Sequence, residues 1–261
     1  MKRVSPVRFS LLATMIVAAP LAAQSKCENR REISETLDLA PTDRIRVEAG
    51  AGSLRITGRP GMSQVLVTGT ACASSASRLE EMEIDIGSRA GEAYVETIIP
   101  QSLGWFDWFG YARMDLVVEV PEGATLNVRD GSGSLEIANI GGGLKVDDGS
   151  GSLEIANVGG GLEVDDGSGS LTIRDVDGDL RLFDGSGSIT VENVRGSVVV
   201  EDDGSGSMDV RNVTGSVFVR EDGSGSISVD LVGGDFIVDR DGSGGIHSAD
   251  IAGVVQIPRR R

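Results

Sequence analysis

The amino-acid sequence predicts an all-β fold: a two-sheet parallel β-solenoid of 18- or 19-residue coils, with an irregular β region capping its N-terminal end. Apolar and polar residues alternate along most of the 261 residues, which is the pattern of β-strands. Glycine occurs 37 times and aromatic residues make up 4% of the chain, so strands joined by tight turns would pack on small aliphatic side chains. The third observation is a repeat of nearly fixed length.

The five-residue sequence Asp-Gly-Ser-Gly-Ser occurs seven times, with Gly in place of the final Ser in the last copy. The spacings between copies are 18, 18, 18, 19, 19 and 19 residues. The copies begin at Asp130, Asp148, Asp166, Asp184, Asp203, Asp222 and Asp241. A period of about 20 residues is typical of a repeat array, in which one unit cannot bury its apolar face alone and neighbouring units stack to share a core.

Each period holds two strands. In one coil, Leu171 and Ile173 are followed nine residues later by Leu180 and Leu182. The residues between them, such as Thr172, are expected to face solvent, because side chains alternate between the two faces of a strand. Stacked coils would therefore enclose columns of Leu, Ile and Val between two sheets.

A coil must reverse direction twice, and the sequence has a different corner for each reversal. Asp-Gly-Ser-Gly-Ser contains glycine, which adopts the positive φ that tight turns need. The opposite corner repeats Asn or Asp, which tolerate turn geometry and can hydrogen-bond to their copies in the next coil. These residues are Asn139, Asn157, Asp175, Asn193 and Asn212.

Residues 1–23 have the pattern of a secretory signal peptide. Lys2, Arg3 and Arg8 precede an apolar run that ends in small residues. A membrane anchor is the weaker alternative, because about 15 apolar residues fall short of the roughly 20 that a spanning helix needs. The chain is therefore expected to be exported, and its mature form to have no membrane-spanning segment.

The chain has two cysteines, Cys27 and Cys72. An even number of cysteines in an exported chain favours a disulfide, which would stabilise the N-terminal region by about 4 kcal/mol. Two free thiols are the alternative.

Residues 24–121 are less regular and are expected to cap the first edge of the solenoid, which would otherwise pair with another chain. Within them, residues 45–58 (IRVEAGAGSLRITG) form a weaker copy of one coil. Residues 122–257 hold the clean repeats. Residues 258–261, a proline and three arginines, form a basic tail after the last strand.

Residues 101–113 (QSLGWFDWFGYAR) hold both tryptophans, two of the six phenylalanines and one of the two tyrosines. One interpretation is an exposed hairpin that contacts a glycan, a membrane surface or a partner protein. The other is a hydrophobic plug over the end of the solenoid. The candidate interaction residues are Trp105, Phe106, Trp108, Phe109 and Tyr111.

The formal net charge is −16, and the acidity lies in the repeats. Residues 130–250 include 24 acidic and 7 basic residues, a balance of −17. Nucleic acid is excluded as a partner, because phosphate binding needs clustered positive charge.

The seven corner aspartates are expected to form one column, with a second acidic column beside it. The second column consists of Asp147, Asp165, Asp202 and Glu221. Ca²⁺ would relieve the repulsion between carboxylates about 4.8 Å apart. The repeat differs from the Ca²⁺-binding nonapeptide, however, since Gly133 stands two residues before the inward Leu135, where that motif has Asp. A solvated acidic edge without cofactor is the favoured interpretation, and Ca²⁺ at the corners is the alternative.

Residue types for catalysis are sparse. His247 is the only histidine, and Ser243 and Asp250 near it belong to residue types that are abundant throughout the chain. We interpret His247 as an exposed strand residue. A polysaccharide-active β-helix enzyme would need carboxylates in a groove, and coils of fixed length leave no long loops to wall one. The sequence therefore favours a protein that is not an enzyme.

The order of these segments resembles the bacterial putative-adhesin family, a domain of unknown function. The resemblance rests on the N-terminal β region, on VVEVPEGATLNV at residues 117–128, and on coils of the form G-S-G-S-[LI]-x-[IV]; it covers residues 35–257. It implies a secreted or cell-envelope β-solenoid and offers no catalytic residues to carry over.

The expected function is that of a non-enzymatic, exported cell-envelope protein with an adhesin-like interaction or structural role. Its expected partner is an envelope protein or a glycan. The periplasm is the expected location, with the cell surface or secretion as the alternative. A Ca²⁺-stabilised extracellular scaffold and a polysaccharide-active enzyme are the alternative functions.

Overall fold

The structure is a computed structural model that describes residues 27–39, 44–100 and 110–258. These residues form nineteen β-strands and one short helix, α1 (Ala76–Glu80). The N-terminal strands are β1 (Asn29–Asp38), β2 (Arg44–Ala51), β3 (Leu54–Arg59), β4 (Gln64–Ala73), β5 (Glu83–Arg89), β6 (Glu92–Ile98) and β7 (Ala112–Pro121). The repeat strands are β8 (Leu126–Ile140), β9 (Leu144–Asp148), β10 (Gly151–Val158), β11 (Leu162–Asp166), β12 (Gly169–Val176), β13 (Leu180–Asp184), β14 (Gly187–Val194), β15 (Val198–Asp203), β16 (Gly206–Val213), β17 (Val217–Val232), β18 (Phe236–Ile251) and β19 (Val255–Gln256). The prediction of an all-β solenoid is confirmed.

Two parallel sheets enclose the core, and each complete coil adds one strand to both. The first sheet runs through β2, the first part of β8, β9, β11, β13, β15 and the first parts of β17 and β18. The second sheet runs through β3, the last part of β8, β10, β12, β14, β16 and the last parts of β17 and β18. The chain passes from the first sheet to the second through Asp-Gly-Ser-Gly and returns through the Asn corner.

Successive coils pair in register, so that each position stacks on its copy in the next coil. The change from 18 to 19 residues per coil is absorbed by one bulge in the first sheet. Leu182 pairs with Val200, but the next residue, Phe183, pairs with Asp202. Glu201 is the additional residue, and the register beyond it is restored.

The core consists of five columns of inward side chains, which are at most 3% exposed as far as Phe236 and Val238 in the first sheet and Ile227, Val229 and Val232 in the second. The columns begin at Leu126 and Val128 in the first sheet and at Leu135, Ile137 and Ile140 in the second. The predicted columns of Leu, Ile and Val between two sheets are confirmed.

The N-terminal region continues the solenoid as well as covering its end. β2 and β3 form a complete coil on β8, with Ile45 beside Leu126 and Leu54 beside Leu135. β6 and β7 add a further parallel layer. Among the described strands of this region, β1, β4 and β5 make antiparallel pairs, β1 with β4, β4 with β7 and β5 with β6. The irregular part is therefore smaller than residues 24–121, because residues 45–58 already have the alternation of a coil.

The Asp-Gly-Ser-Gly corner depends on its second glycine. At Gly151, φ is +135°, and a Cβ atom would overlap the carbonyl oxygen of Gly133 in the preceding coil. The same overlap recurs at every corner up to Gly244, where it involves Gly225. Glycine is thus required both for the backbone conformation and for the close approach of the coils.

Cys27 and Cys72 are joined by a disulfide with a Cα–Cα distance of 5.6 Å. The bond links the segment before β1 to β4, the strand on which β1 lies. It therefore fastens the outermost strand of the N-terminal end to the rest of the sheet.

Gly151→Ala is expected to lower the free energy of unfolding by at least about 2 kcal/mol, because alanine is strained at this φ and overlaps the preceding coil. Gly161→Ala is the matched control, since a Cβ atom there would meet only the carbonyl oxygen of Asp179, at 3.8 Å. Urea unfolding measures both losses. Equal losses would contradict the role assigned to the second glycine.

Reduction of the Cys27–Cys72 disulfide is expected to lower the free energy of unfolding by about 4 kcal/mol, because it releases a loop with a sequence separation of 45 residues in the unfolded chain. Thermal unfolding with and without a reductant measures the change. The Cys27→Ser/Cys72→Ser variant should start from the lower stability and show no response to the reductant. A wild-type protein insensitive to reduction would contradict this expectation.

Candidate functional site

The Asp-Gly-Ser-Gly corners bring their first residues together in a line that we call the aspartate column. Successive members pair in register. Its six buried members, between 1% and 5% exposed, are Asp130, Asp148, Asp166, Asp184, Asp203 and Asp222. The seventh member, Asp241 in the last coil, is half-buried. The column therefore lies inside the solenoid.

The expectation that these aspartates form a solvated acidic edge is wrong. Strand alternation gives the reason: Val146 points into the core, Asp147 points outward, and Asp148 points inward again. This signal is present in the sequence of each repeat, but it conflicts with the usual preference of aspartate for the surface. The solvent-facing column is the neighbouring one, with Asp147, Asp165 and Asp202 exposed and Glu221 half-buried.

Burial raises the pKa of the six buried aspartates, and the charge of a neighbouring aspartate raises it further. The pKa of Asp130 is raised to about 7 by burial and by the next member of the column. The pKa values of Asp148 and Asp184 are each raised to about 6 by the same two causes. Burial also raises the pKa values of Asp166, Asp203 and Asp222. The column therefore holds protons at mildly acidic pH values at which an ordinary aspartate is already ionised.

The carboxyl groups of the column lack hydrogen bonds of good geometry among the described residues. Both side-chain oxygens of all six buried members have no donor partner. A backbone amide of the corner lies close enough to lower the pKa of each of the first five members, but none forms a hydrogen bond of good geometry. These amides belong to Gly131, Gly149, Ser168, Ser186 and Ser205. Asp222 instead lies within hydrogen-bonding range of two other carboxyl groups, those of Asp203 and Asp241.

The column differs from an ordinary metal centre. In the part of the chain that the structure describes, no three His, Cys, Asp or Glu side chains come together as a metal ion would require. Each coil contributes one inward carboxyl group, whereas Ca²⁺ takes six to eight oxygen ligands. Ca²⁺ at the corners stays a prediction.

The opposite corner forms the predicted ladder on the outside of the solenoid. The side-chain amide of Asn157 donates to Asn139 at 3.0 Å, and that of Asn212 donates to Asn193 at 2.7 Å. The residues have φ values of 57° to 62°, the left-handed turn conformation. The ladder is confirmed, because an amide both donates and accepts and can therefore be satisfied by its own copy.

The first sheet carries outward apolar side chains that sequence analysis did not identify. Val199, Phe218 and Ile237 stack on one another in three successive coils, and all three are partly exposed. We call them the apolar stripe. Arg220 lies over the ring of Phe218 at 5.4 Å. The available signal was the loss of alternation in VVV, VFV and FIV, where the central residue should have been polar.

The earlier coils have charged residues at the same outward position. Lys145 and Glu163 form an ion pair there with an Nζ–Oε1 distance of 2.6 Å, and Arg181 stands next in the column. The apolar stripe is therefore a local change in an outward column that is charged in the earlier coils.

A shallow groove of about 450 Å³ crosses the second sheet where β4 and β7 meet the first repeats. It is lined by Ser and Thr hydroxyls and by three carboxylates. Each carboxylate has a partner: Glu136 pairs with Arg55 at 2.6 Å, Asp115 accepts from Ser53 at 3.1 Å, and Glu154 pairs with Arg174 at 3.2 Å. The N-terminal strands contribute to this groove, so it forms without long loops between the coils.

Most of the aromatic insertion lies outside the described residues, including Trp105, Phe106, Trp108 and Phe109. Tyr111 is described and is anchored to the N-terminal strands. Its backbone amide donates to the Ser74 hydroxyl at 3.2 Å, and its phenolic oxygen accepts from the amide of Glu28 at 3.1 Å. The insertion therefore returns to the fold beside the end of β4.

His247 is exposed on β18, where it pairs in register with Ser228. The interpretation of His247 as an exposed strand residue is confirmed. In the described residues, no helix is both long and apolar enough to cross a membrane.

Comparison with known proteins gives likenesses in fold. No protein-family model and no curated protein matches the chain. Among solved structures, it is similar to a "putative lipid binding protein" from Parabacteroides distasonis, with 16% identity, 87% of this chain and 97% of that chain covered, and a TM-score of 0.49. It is also similar to a "putative adhesin" from the same organism, with 10% identity, coverage of 87% and 97%, and a TM-score of 0.45. A "putative cell adhesion protein" from Clostridium sporogenes has 13% identity, coverage of 88% and 99%, and a TM-score of 0.34.

Proposed function

We propose that the protein is a non-enzymatic, exported cell-envelope protein that binds a partner protein through the outer face of its first sheet, in an adhesin-like role. The observation that carries this proposal is the apolar stripe in an outward column that is charged in the earlier coils. Exposed apolar groups that line up on a soluble protein mark contact surfaces.

The composition around the stripe suits a protein interface. Phe218 lies under Arg220, and Arg181 lies over the ring of Phe183 at 5.7 Å on the same sheet. Aromatic residues and arginine are enriched where proteins bind one another, and a few such residues supply most of the binding free energy. The stripe lies on a paired sheet whose backbone is held by both neighbouring strands, so binding would cost little ordering entropy.

Two features support a role without catalysis. The carboxylates of the groove already have basic or hydroxyl partners, so they do not form a free acid and base pair for glycoside chemistry. His247 stands alone on the surface of the last coil. A binding role needs neither a free acid and base pair nor a catalytic histidine.

The signal peptide pattern and the disulfide support an exported location, with the periplasm as the proposed compartment and the cell surface as the alternative. The aromatic insertion at residues 101–113 is proposed as a second contact, to an envelope protein or a glycan.

Phe218→Ser/Ile237→Ser is expected to weaken binding to envelope proteins at least about 10-fold, because it removes the two largest groups of the stripe. Val117→Ser is the matched control, since Val117 is apolar and 45% exposed but lies on the second sheet. Co-sedimentation with fractionated envelope proteins measures binding, and thermal unfolding checks that both variants fold. Equal binding by the two variants would contradict the proposal that the stripe is the contact surface.

Trp105→Ser/Trp108→Ser is expected to weaken binding to envelope or glycan preparations while leaving the melting temperature within a few degrees. This is the result for an exposed hairpin, because exposed side chains contribute little to folding stability. Binding to purified glycans and to envelope proteins is measured separately, alongside thermal unfolding. A collapse in stability would show that the insertion is a plug over the end of the solenoid.

A further inference from the structure

We infer that the aspartate column is a chain of protonated carboxyl groups that hydrogen-bond to one another along the solenoid axis. The column would make the folded protein most stable at acidic pH and less stable as the pH rises toward neutral. This inference is independent of the proposed interaction role.

The geometry leaves the carboxyl groups to satisfy one another. Twelve side-chain oxygens of the six buried members have no donor partner, and a buried polar oxygen without a hydrogen bond costs about 1 to 3 kcal/mol. An ionised carboxylate only accepts, so two of them side by side cannot form a hydrogen bond. One proton between them creates an O–H···O bond, and charge-assisted bonds of this type are strong. The close approach of Asp222 to Asp203 and Asp241 is the contact that such a proton would join.

The exposed acidic column adds negative charge beside the aspartate column. Asp147, Asp165 and Asp202 each stand one residue before a buried member, and each raises or helps to raise the pKa of that member. On the strands that flank a corner, the inward neighbours are apolar, as Val146 and Leu153 show. Burial and the neighbouring carboxylates favour the neutral form of the buried carboxyl groups. The corner amides act in the opposite direction, but burial is the larger effect, and the net pKa is raised.

The basic residues closest in sequence are used elsewhere. Arg129, at the first end of the column, pairs with Glu48 at 3.3 Å and with Asp147 at 3.6 Å. Arg240, at the last end, pairs with Glu221. In the coil before Asp130, the same position is occupied by Ala49, which carries no charge. Within the described residues, no salt bridge therefore neutralises the column.

A proton suits this site better than a divalent cation. The carbonyl oxygens of the corners already accept hydrogen bonds from the next coil, as in Gly149 N–H to Asp130 O at 2.9 Å and Gly167 N–H to Asp148 O at 2.8 Å. The column thus offers one free carboxyl group per coil. A proton needs two oxygens, whereas Ca²⁺ needs six to eight.

The pH dependence follows from the direction of the shifts. The ordinary pKa of these groups is 3.8, and in the folded protein those of Asp130 and Asp148 are raised to about 7 and about 6. Below pH 4 both the folded and the unfolded chain hold the protons, so the stabilisation is complete. As the pH rises from about 4 to about 7, the unfolded chain releases its protons first, and the folded state loses stability.

The test is thermal unfolding of the oxidised protein between pH 4.5 and pH 8 at constant ionic strength. The wild-type melting temperature is expected to fall by at least about 10 °C over this range. Asp166→Asn/Asp184→Asn replaces two carboxyl groups by neutral groups of the same shape. It is expected to melt several degrees above the wild type at pH 8 and close to it at pH 4.5.

The matched control is Asp165→Asn/Asp202→Asn, which removes two charges from the exposed column and should leave most of the pH dependence in place. A fall in the melting temperature of Asp166→Asn/Asp184→Asn at pH 8 would overturn the inference. The inference would also be overturned if Ca²⁺ added after EDTA raised the melting temperature of the wild type but not that of Asp166→Asn/Asp184→Asn, since the column would then hold a cation.

Infrared spectroscopy of the wild type gives a second readout that needs no variant. At pH 5, which lies above the ordinary pKa of 3.8 and below the raised values, the folded protein is expected to show the C=O absorption of protonated carboxylic acids, and unfolding in urea should abolish most of it. Absence of this absorption in the folded protein would mean that the column is ionised and would overturn the inference.

Discussion

The fold depends on one constraint, the stacking of coils in register about 4.8 Å apart. Because each residue lies on its own copy, any property of a side chain is repeated along the axis. The second glycine is therefore required in all seven corners, since a Cβ atom at any one of them would push two coils apart. The same constraint aligns the aliphatic side chains into five continuous columns and lets a short unit build a large core.

The effect of repetition on a polar side chain depends on whether that side chain can form a hydrogen bond with its own copy in the next coil. Asn donates and accepts, so the outer ladder needs no partner beyond its own copies. Aspartate cannot do this when ionised. On the outside, some carboxylates have a basic partner where the residue varies between coils, as at Arg174, which pairs with Glu154 and Glu192. Others, such as Asp147 and Asp165, lie side by side but are exposed to solvent. Inside, each of the seven repeats from Asp130 to Asp241 has aspartate at the same position, and an added proton can join neighbouring carboxyl groups.

The coils are not functionally equivalent, although their backbones are nearly identical. The outward position that holds Lys145 and Glu163 in the early coils holds Val199, Phe218 and Ile237 in the late ones. The stripe lies in the part of the first sheet where the coils have 19 residues, next to the bulge at Glu201. A contact surface can therefore arise on a repetitive rod by changing one outward column, because outward side chains carry no part of the core.

Sequence alone determined the features that repeat locally. The period, the two strands per coil, the identity of both corners and the Asn ladder follow from alternation and from the φ that Gly and Asn tolerate. Tertiary structure decided the features that depend on which face a residue meets. Strand alternation gives the inward direction of Asp148 locally, but its burial beside the carboxyl groups of other coils appears only once coils are placed side by side. The stacking of Phe218 between Val199 and Ile237 likewise depends on the neighbouring coils. The physical reason is that a strand fixes the side of each residue locally, while its neighbours, and hence its charge state and its contacts, come from residues about 18 positions away.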